Sequence, residues 1–191
     1  MHTEAELEAA VPQYYHNWLE PARATLVARC RSGEGNWWTL AQERRWQWVG
    51  GPKLVTKYFG ERGSFAYDES GEYLVLQGFG WISKIHLRDT PFFESDLPFA
   101  YLALLNSSVF EDLLACFCPR IQGGQFDLSP RFIASVFLPD LSDELRVPGD
   151  VVQDLARVGK QFHAGKTPPA GPQTELAERV YGLSALGASN G

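Results

Sequence analysis

Tyr101-Leu102-Ala103-Leu104-Leu105-Asn106-Ser107-Ser108-Val109-Phe110 is an apolar run, a short polar break and the start of a second apolar run. Leu102, Leu105, Val109, Leu113 and Phe117 recur at spacings of three and four, which predicts one buried helical stripe over residues 97–117. Ser108-x-x-Glu111 has capping-box spacing, so Asn106-Ser107-Ser108 divides the stretch into two helices. Asn106 is expected to satisfy backbone groups at that break. Farther along come Ile121-Gln122-Gly123-Gly124-Gln125-Phe126-Asp127, with a Gly-Gly turn, and Val136-Phe137-Leu138-Pro139, a short buried strand that ends in Pro. None of these residue types suits a catalyst, so the signature describes architecture.

Toward the N-terminus, Thr3-x-x-Glu6 predicts a capped first helix and Pro12 begins a second. Tyr15, Trp18 and Leu19 share a face of that helix. Glu20-Pro21 restarts the chain, and Leu26, Val27 and Cys30 continue the apolar side, with Arg29 and Arg31 near the helix end. Ser32–Asn36 is a loop. Residues 37–88 read as β-rich. Strands are expected at 53–59, 64–67, 72–77 and 81–87. Asp68-Glu69-Ser70-Gly71 should turn a hairpin between the second and third of these. Toward the C-terminus, Ser129-Pro130 opens a short helix and 141–149 is a loop. Asp150 caps a helix with Val151, Val152, Leu155, Val158 and Phe162 inward. A last helix runs to about Tyr181 and stops at Gly182. The expected organisation is one domain over 1–166, a Pro-rich linker at 167–172, and a C-terminal helix with a frayed tail over 173–191.

The chain has 191 residues, 45% of them hydrophobic and 13% aromatic, enough for a sizeable core. No apolar run reaches the roughly 20 residues of a membrane span. The opening residues are acidic, unlike a secretory signal. These features read as a cytoplasmic protein without a membrane partner. Cys30, Cys116 and Cys118 are odd in number and fit no zinc-knuckle spacing, so free thiols are expected.

Net charge is −6, and no segment is a basic arm. Residues 1–36 carry five acids and three bases, 37–131 eleven and nine, and 132–191 seven and five. That balance counts against autonomous, non-specific DNA binding.

No catalytic constellation emerges. Gly78-Phe79-Gly80 runs into a strand pattern and does not open a helix, as a cofactor loop would. Pro168-Pro169 lacks the polar and aromatic partners of an amino-methyltransferase loop. Asp68, Glu69 and Glu72 cluster as a two-metal nuclease would require, but fit a solvated hairpin tip. His2, His16, His86 and His163 show no ligand spacing. Ser64, Ser83, Ser107 and Ser129 lie in no nucleophile elbow. No cofactor or metal is expected, and no enzyme activity. What remains is a basic-aromatic set: Trp37, Trp38, Arg44, Arg45, Trp46, Trp48, Lys53, Lys57, Arg62, Lys84, His86 and Arg88. Its Arg and Lys suit phosphate and guanine contacts. Core tryptophans with surface ion pairs would explain the same residues.

The pattern resembles the C-terminal specificity domain of TaqI-like adenine methyltransferases and fused restriction–modification enzymes. Besides the stretches above, Trp37-Trp38-Thr39-Leu40, Pro52-Lys53-Leu54-Val55, Phe65–Tyr73 and Val180-Tyr181-Gly182-Leu183 follow in the same order. The resemblance implies an α+β fold, a twisted, mainly antiparallel sheet flanked by helices. It also implies a non-catalytic target-recognition role on double-stranded DNA, beside a separate methyltransferase or restriction partner. The contact candidates are Arg44, Arg45, Lys53, Lys57, Arg62, Lys84 and Arg88. The other expectation is a protein-interaction module that docks on a larger defence complex, with exposed Trp residues as anchors.

Overall fold

The computed structural model describes residues 3–29, 37–39, 50–62, 64–82, 92–121 and 123–183. The chain is α+β and divides into two compact units, Met1–Arg45 and Trp46–Gly191.

In the first unit, Thr3 caps α1 (Glu4–Ala10), its hydroxyl accepting the Glu6 N–H at 3.2 Å. Pro12 opens α2 (Pro12–Tyr14), which widens into a π-helical turn over Tyr15–Leu19. α3 spans Arg23–Arg29. Leu7, Tyr15 and Trp37 form a small core with Leu19, Leu26, Val27 and Trp38 against it. Trp18 departs from the expected inward face and is 69% exposed. The cause is the π turn, closed by Glu20 N–H to the Tyr15 carbonyl. Pairing five residues apart gives more residues per turn, so a position three after Tyr15 no longer lies beneath it.

In the second unit, β1 (Lys53–Lys57) is central and antiparallel to both β3 (Phe65–Asp68) and β4 (Gly78–Trp81). Strand alternation puts Leu54 and Thr56 on one face with Phe65, Tyr67, Phe79 and Trp81. A separate two-stranded ladder joins β2 (Phe59–Gly60) to β5 (Phe126–Asp127). The expected hairpin between 64–67 and 72–77 does not form: β3 pairs with β1, and 72–77 is irregular. Asp68 explains this. Its buried carboxylate accepts from the Gly71 and Tyr73 N–H groups at 2.8 and 3.2 Å and from Ser70 Oγ at 3.1 Å, so it shapes the loop itself.

α4 (Leu97–Leu105) and α5 (Ser108–Phe117) meet at 64°. The bend ends the single stripe read from the sequence. α4 is buried almost all round, while Phe117 at the end of α5 is exposed. The cap is Ser107, one residue earlier than expected: its Oγ accepts the Phe110 N–H at 3.1 Å, and the Ser108 hydroxyl is left to pair with Thr174. Asn106 holds the break. Its amide donates to the Leu102 and Phe65 carbonyls, each at 3.0 Å, and its Oδ1 accepts the Phe65 N–H at 3.1 Å. It thus closes α4 and grips both backbone groups of a β3 residue, all of it buried.

α6 spans Pro130–Ile133. Val136–Leu138 is irregular, not a strand. Tyr101 anchors the segment that follows: its hydroxyl donates to the Pro139 carbonyl at 2.9 Å and accepts the Leu141 N–H at 3.0 Å. Burial pushes the Tyr101 phenol up to about 12. α7 (Gly149–His163) starts at Gly149 after Pro148, so Asp150 lies in its first turn and bonds Arg179 at 3.4 Å instead of capping. α7 crosses α4 so closely that a Cβ on Gly159 would fall 1.8 Å from the Phe99 carbonyl oxygen. α8 (Ala170–Tyr181) ends at Gly182. It packs into the same core, with Ala177 buried and the Gln173 amide donating to the Ala103 carbonyl at 2.8 Å. Pro168, ahead of it, is buried, which is unlike a free tether.

Candidate nucleic-acid interface

Arg44, Arg45, Lys84 and Arg88 lie outside the described residues, as do Trp46, Trp48 and His86. Lys53, Lys57 and Arg62 are described, and their environments differ.

Lys53 is not a surface contact. Register pairs it with Asp68 on the outer face of the sheet. Its ammonium lies 2.6 Å from Asp68 Oδ2 and 3.3 Å from the Gly51 carbonyl. Both side chains are buried, because the 69–77 segment folds over this face and Val75 closes beside Gly80. Burial pushes the Asp68 carboxyl up, but Lys53, Gly71, Ser70 and Tyr73 donate to it and leave it below the usual Asp range. The cation is therefore spent inside the protein, and the expected contact role for Lys53 fails on burial. The solvated-tip reading of Asp68 fails for the same reason. Glu69 and Glu72 are exposed.

Lys57 and Arg62 are exposed and flank β2. Arg62 Nε lies 3.9 Å from Glu111, a long pair of little energetic weight at the surface. Beside Lys57, the Tyr58 ring meets Phe59 at 4.8 Å and Phe79 at 5.2 Å. Across the ladder are two cations that were not candidates from the sequence. Arg120 forms an isolated bridge with Phe126, lies over its ring at 4.3 Å, and donates to the Gly124 carbonyl at 2.9 Å. Arg131 is 72% exposed, lies over the Phe132 ring at 4.4 Å, and bonds Asp127 at 3.3 Å. Burial raises the Asp127 carboxyl, but donors on Ser129 and Arg131 outweigh this and hold it low. The signal for Arg120 was its place just before the Gly-Gly turn. Four exposed cations thus bracket one short ladder.

The first unit carries a different electrostatic feature. Glu4 accepts from Tyr15 at 2.5 Å, from Arg23 at 3.0 and 3.1 Å, and from Trp37 Nε1 at 3.3 Å. Its hydrogen bond to Glu4 is the main reason the Tyr15 phenol is pushed up to about 12. Arg23 also stacks on Trp37 at 5.0 Å, so Trp37 is wholly enclosed and serves as core. This carboxylate is saturated by its own fold.

Among the described residues, no group of three or more His, Cys, Asp or Glu side chains is placed to hold a metal ion. Cys116 and Cys118 are free thiols, the second buried. Among the same residues no single helix is long and apolar enough to cross a membrane. No family model matches this chain, and no curated protein matches it.

Proposed function

We propose that this protein is a non-catalytic target-recognition module, a specificity domain or subunit of a restriction–modification or related phage-defence system. It binds double-stranded DNA and works with a separate methyltransferase or nuclease part. The observation that carries the reading is where the residues behind the resemblance sit. Tyr101, Asn106 and Ser107 spend their polar atoms on the Pro139–Leu141, Phe65 and Leu104–Phe110 backbones. They act as joints that hold helices, sheet and the Phe137-Leu138-Pro139 segment together, which suits a scaffold signature. The scaffold leaves Lys57 and Arg62 at the surface beside exposed Phe59. Exposed Arg and Lys suit phosphate and guanine contacts on a duplex.

Selection from a random duplex library, with and without extract of the native cell, tests the proposal. Enrichment of one sequence motif is expected. Enrichment of none in either condition sinks it.

A second reading, a protein-docking module in a larger defence complex, has its own support. Tyr73 and Leu76 are each 71% exposed, and Leu74 and Ile82 are exposed as well. In the first unit Tyr14 and Trp18 are likewise exposed. Rigid aromatic anchors of this kind favour a protein partner. Co-purification with a methyltransferase-bearing protein, abolished by Trp18→Ala, would support this role for the N-terminal unit. Co-purification unaffected by that change would count against it.

A further inference from the structure

We propose that the hairpin built by residues 119–121 and 123–127 and the adjoining α6 contact the phosphate backbone of duplex DNA, with Arg120 on the hairpin and Arg131 on α6 as the two contact groups. The inference rests on the DNA-binding reading and deepens it.

The hairpin is short and well tied. The Asp127 N–H donates to the Pro119 carbonyl at 3.0 Å, the Ile121 N–H to Gln125 at 2.8 Å, and the Gly124 N–H to Ile121 at 3.0 Å. Gly123 and Gly124 turn its tip with φ of +91° and +81°. That left-handed backbone is strained for other residues. Nothing lies within 4 Å of where either Cβ would be, so the tip faces open space. A bare glycine tip lets a backbone approach a bulky polyanion closely, and a two-stranded ribbon is narrow enough for the major groove.

Both arginines are held in place before any ligand arrives. Arg120 is fixed by the Phe126 ring and by one bond to Gly124, and the rest of its planar fork is at the surface. Arg131 is fixed by the Phe132 ring and by Asp127, itself anchored by the Ser129 N–H at 2.9 Å. A guanidinium carries five donors, so a single carboxylate or carbonyl leaves most of it for a phosphate. Stacking also removes rotamer entropy that binding would otherwise cost. Acidic neighbours set a limit. Asp127 takes part of the Arg131 charge, and Glu61 is exposed next to Arg62, so affinity should be moderate and strongly salt-dependent.

The test uses the full chain and a fluorescent random-sequence duplex, titrated across a salt series. Each phosphate contact contributes about 0.9 to the slope of log affinity against log salt. Arg120→Ala with Arg131→Ala should lower the slope by about 1.8 and weaken binding at low salt at least about tenfold. Arg146→Ala removes an equally exposed arginine from the 141–149 loop and should change neither. Thermal unfolding of each variant checks that the fold persists. A wild-type chain that binds while the double variant keeps its slope and affinity overturns this inference alone. If the wild-type chain binds neither this probe nor any duplex from the selection, the DNA-binding reading falls, and the hairpin assignment with it.

Discussion

Asn106 and Arg120 both donate to backbone carbonyls, but they sit in opposite circumstances. Asn106 is buried and spends its whole amide on Leu102 and Phe65. Arg120 is exposed and is bonded to one carbonyl, Gly124. The α4–α5 break is therefore a joint, and the β2–β5 ladder is a surface with cations to offer. A polar group fully used inside a fold can be important and still be irrelevant to a ligand.

Substitutions should separate the two kinds of region, first through stability. Lys53→Met leaves the Asp68 carboxylate buried without its cation. It should cost about 3–5 kcal/mol in urea unfolding, with duplex binding changed only as far as unfolding requires. The double change Lys53→Met with Asp68→Asn should recover much of that loss. Asn106→Ala strands the Phe65 N–H and carbonyl and should cost about 3 kcal/mol, since each buried unmet group costs about 1–3 kcal/mol. Gly159→Ala forces α7 away from Phe99 and should cost about 1–3 kcal/mol as overpacking. A loss below 0.5 kcal/mol for any of these, roughly the level of an ordinary surface change, would break the scaffold half of the comparison.

The pH dependence has a definite sign. Folded Asp68 and Asp127 hold their protons less tightly than unfolded aspartates. Their stabilisation is present above the usual Asp value of about 3.9 and is lost as pH falls through the lower folded values. Acid unfolding of the second unit should steepen below about pH 4. In the Lys53→Met, Asp68→Asn protein that dependence should be shallower; an unchanged acid limb would contradict the account of the buried pair.

Parts of this division were legible in the sequence. Ser, Asn and Pro at helix boundaries act within a few residues, so the α4–α5 break, the Pro12 and Pro130 starts and the Gly182 stop could be read from spacing. The partner of a strand cannot. Phe65–Asp68 looked like half of a hairpin because Asp68-Glu69-Ser70-Gly71 is good turn chemistry, but β1 outcompeted 72–77 for its ladder. Once β3 paired with β1, Lys53 and Asp68 faced each other and the covering loop buried them. That long-range event removed one candidate contact, Lys53, and no local rule signals it. Trp18 was misplaced because a π turn changes the period that the reading assumes. Arg120 and Arg131 were missed because the stacking of Arg120 on Phe126 and the bond of Arg131 to Asp127 both depend on β5, which the Gly-Gly turn hinted at but did not place.

The most direct test pairs two readouts on one protein, Arg120→Ala with Arg131→Ala: the urea midpoint and the salt slope of duplex binding. The account predicts only a small loss of stability, about 1 kcal/mol or less, because both side chains are exposed and Asp127 keeps its Ser129 N–H donor, and a slope reduced by about 1.8. A large loss of stability with an unchanged slope would make these arginines part of the scaffold and contradict the claim that the β2–β5 ladder is the surface left for DNA.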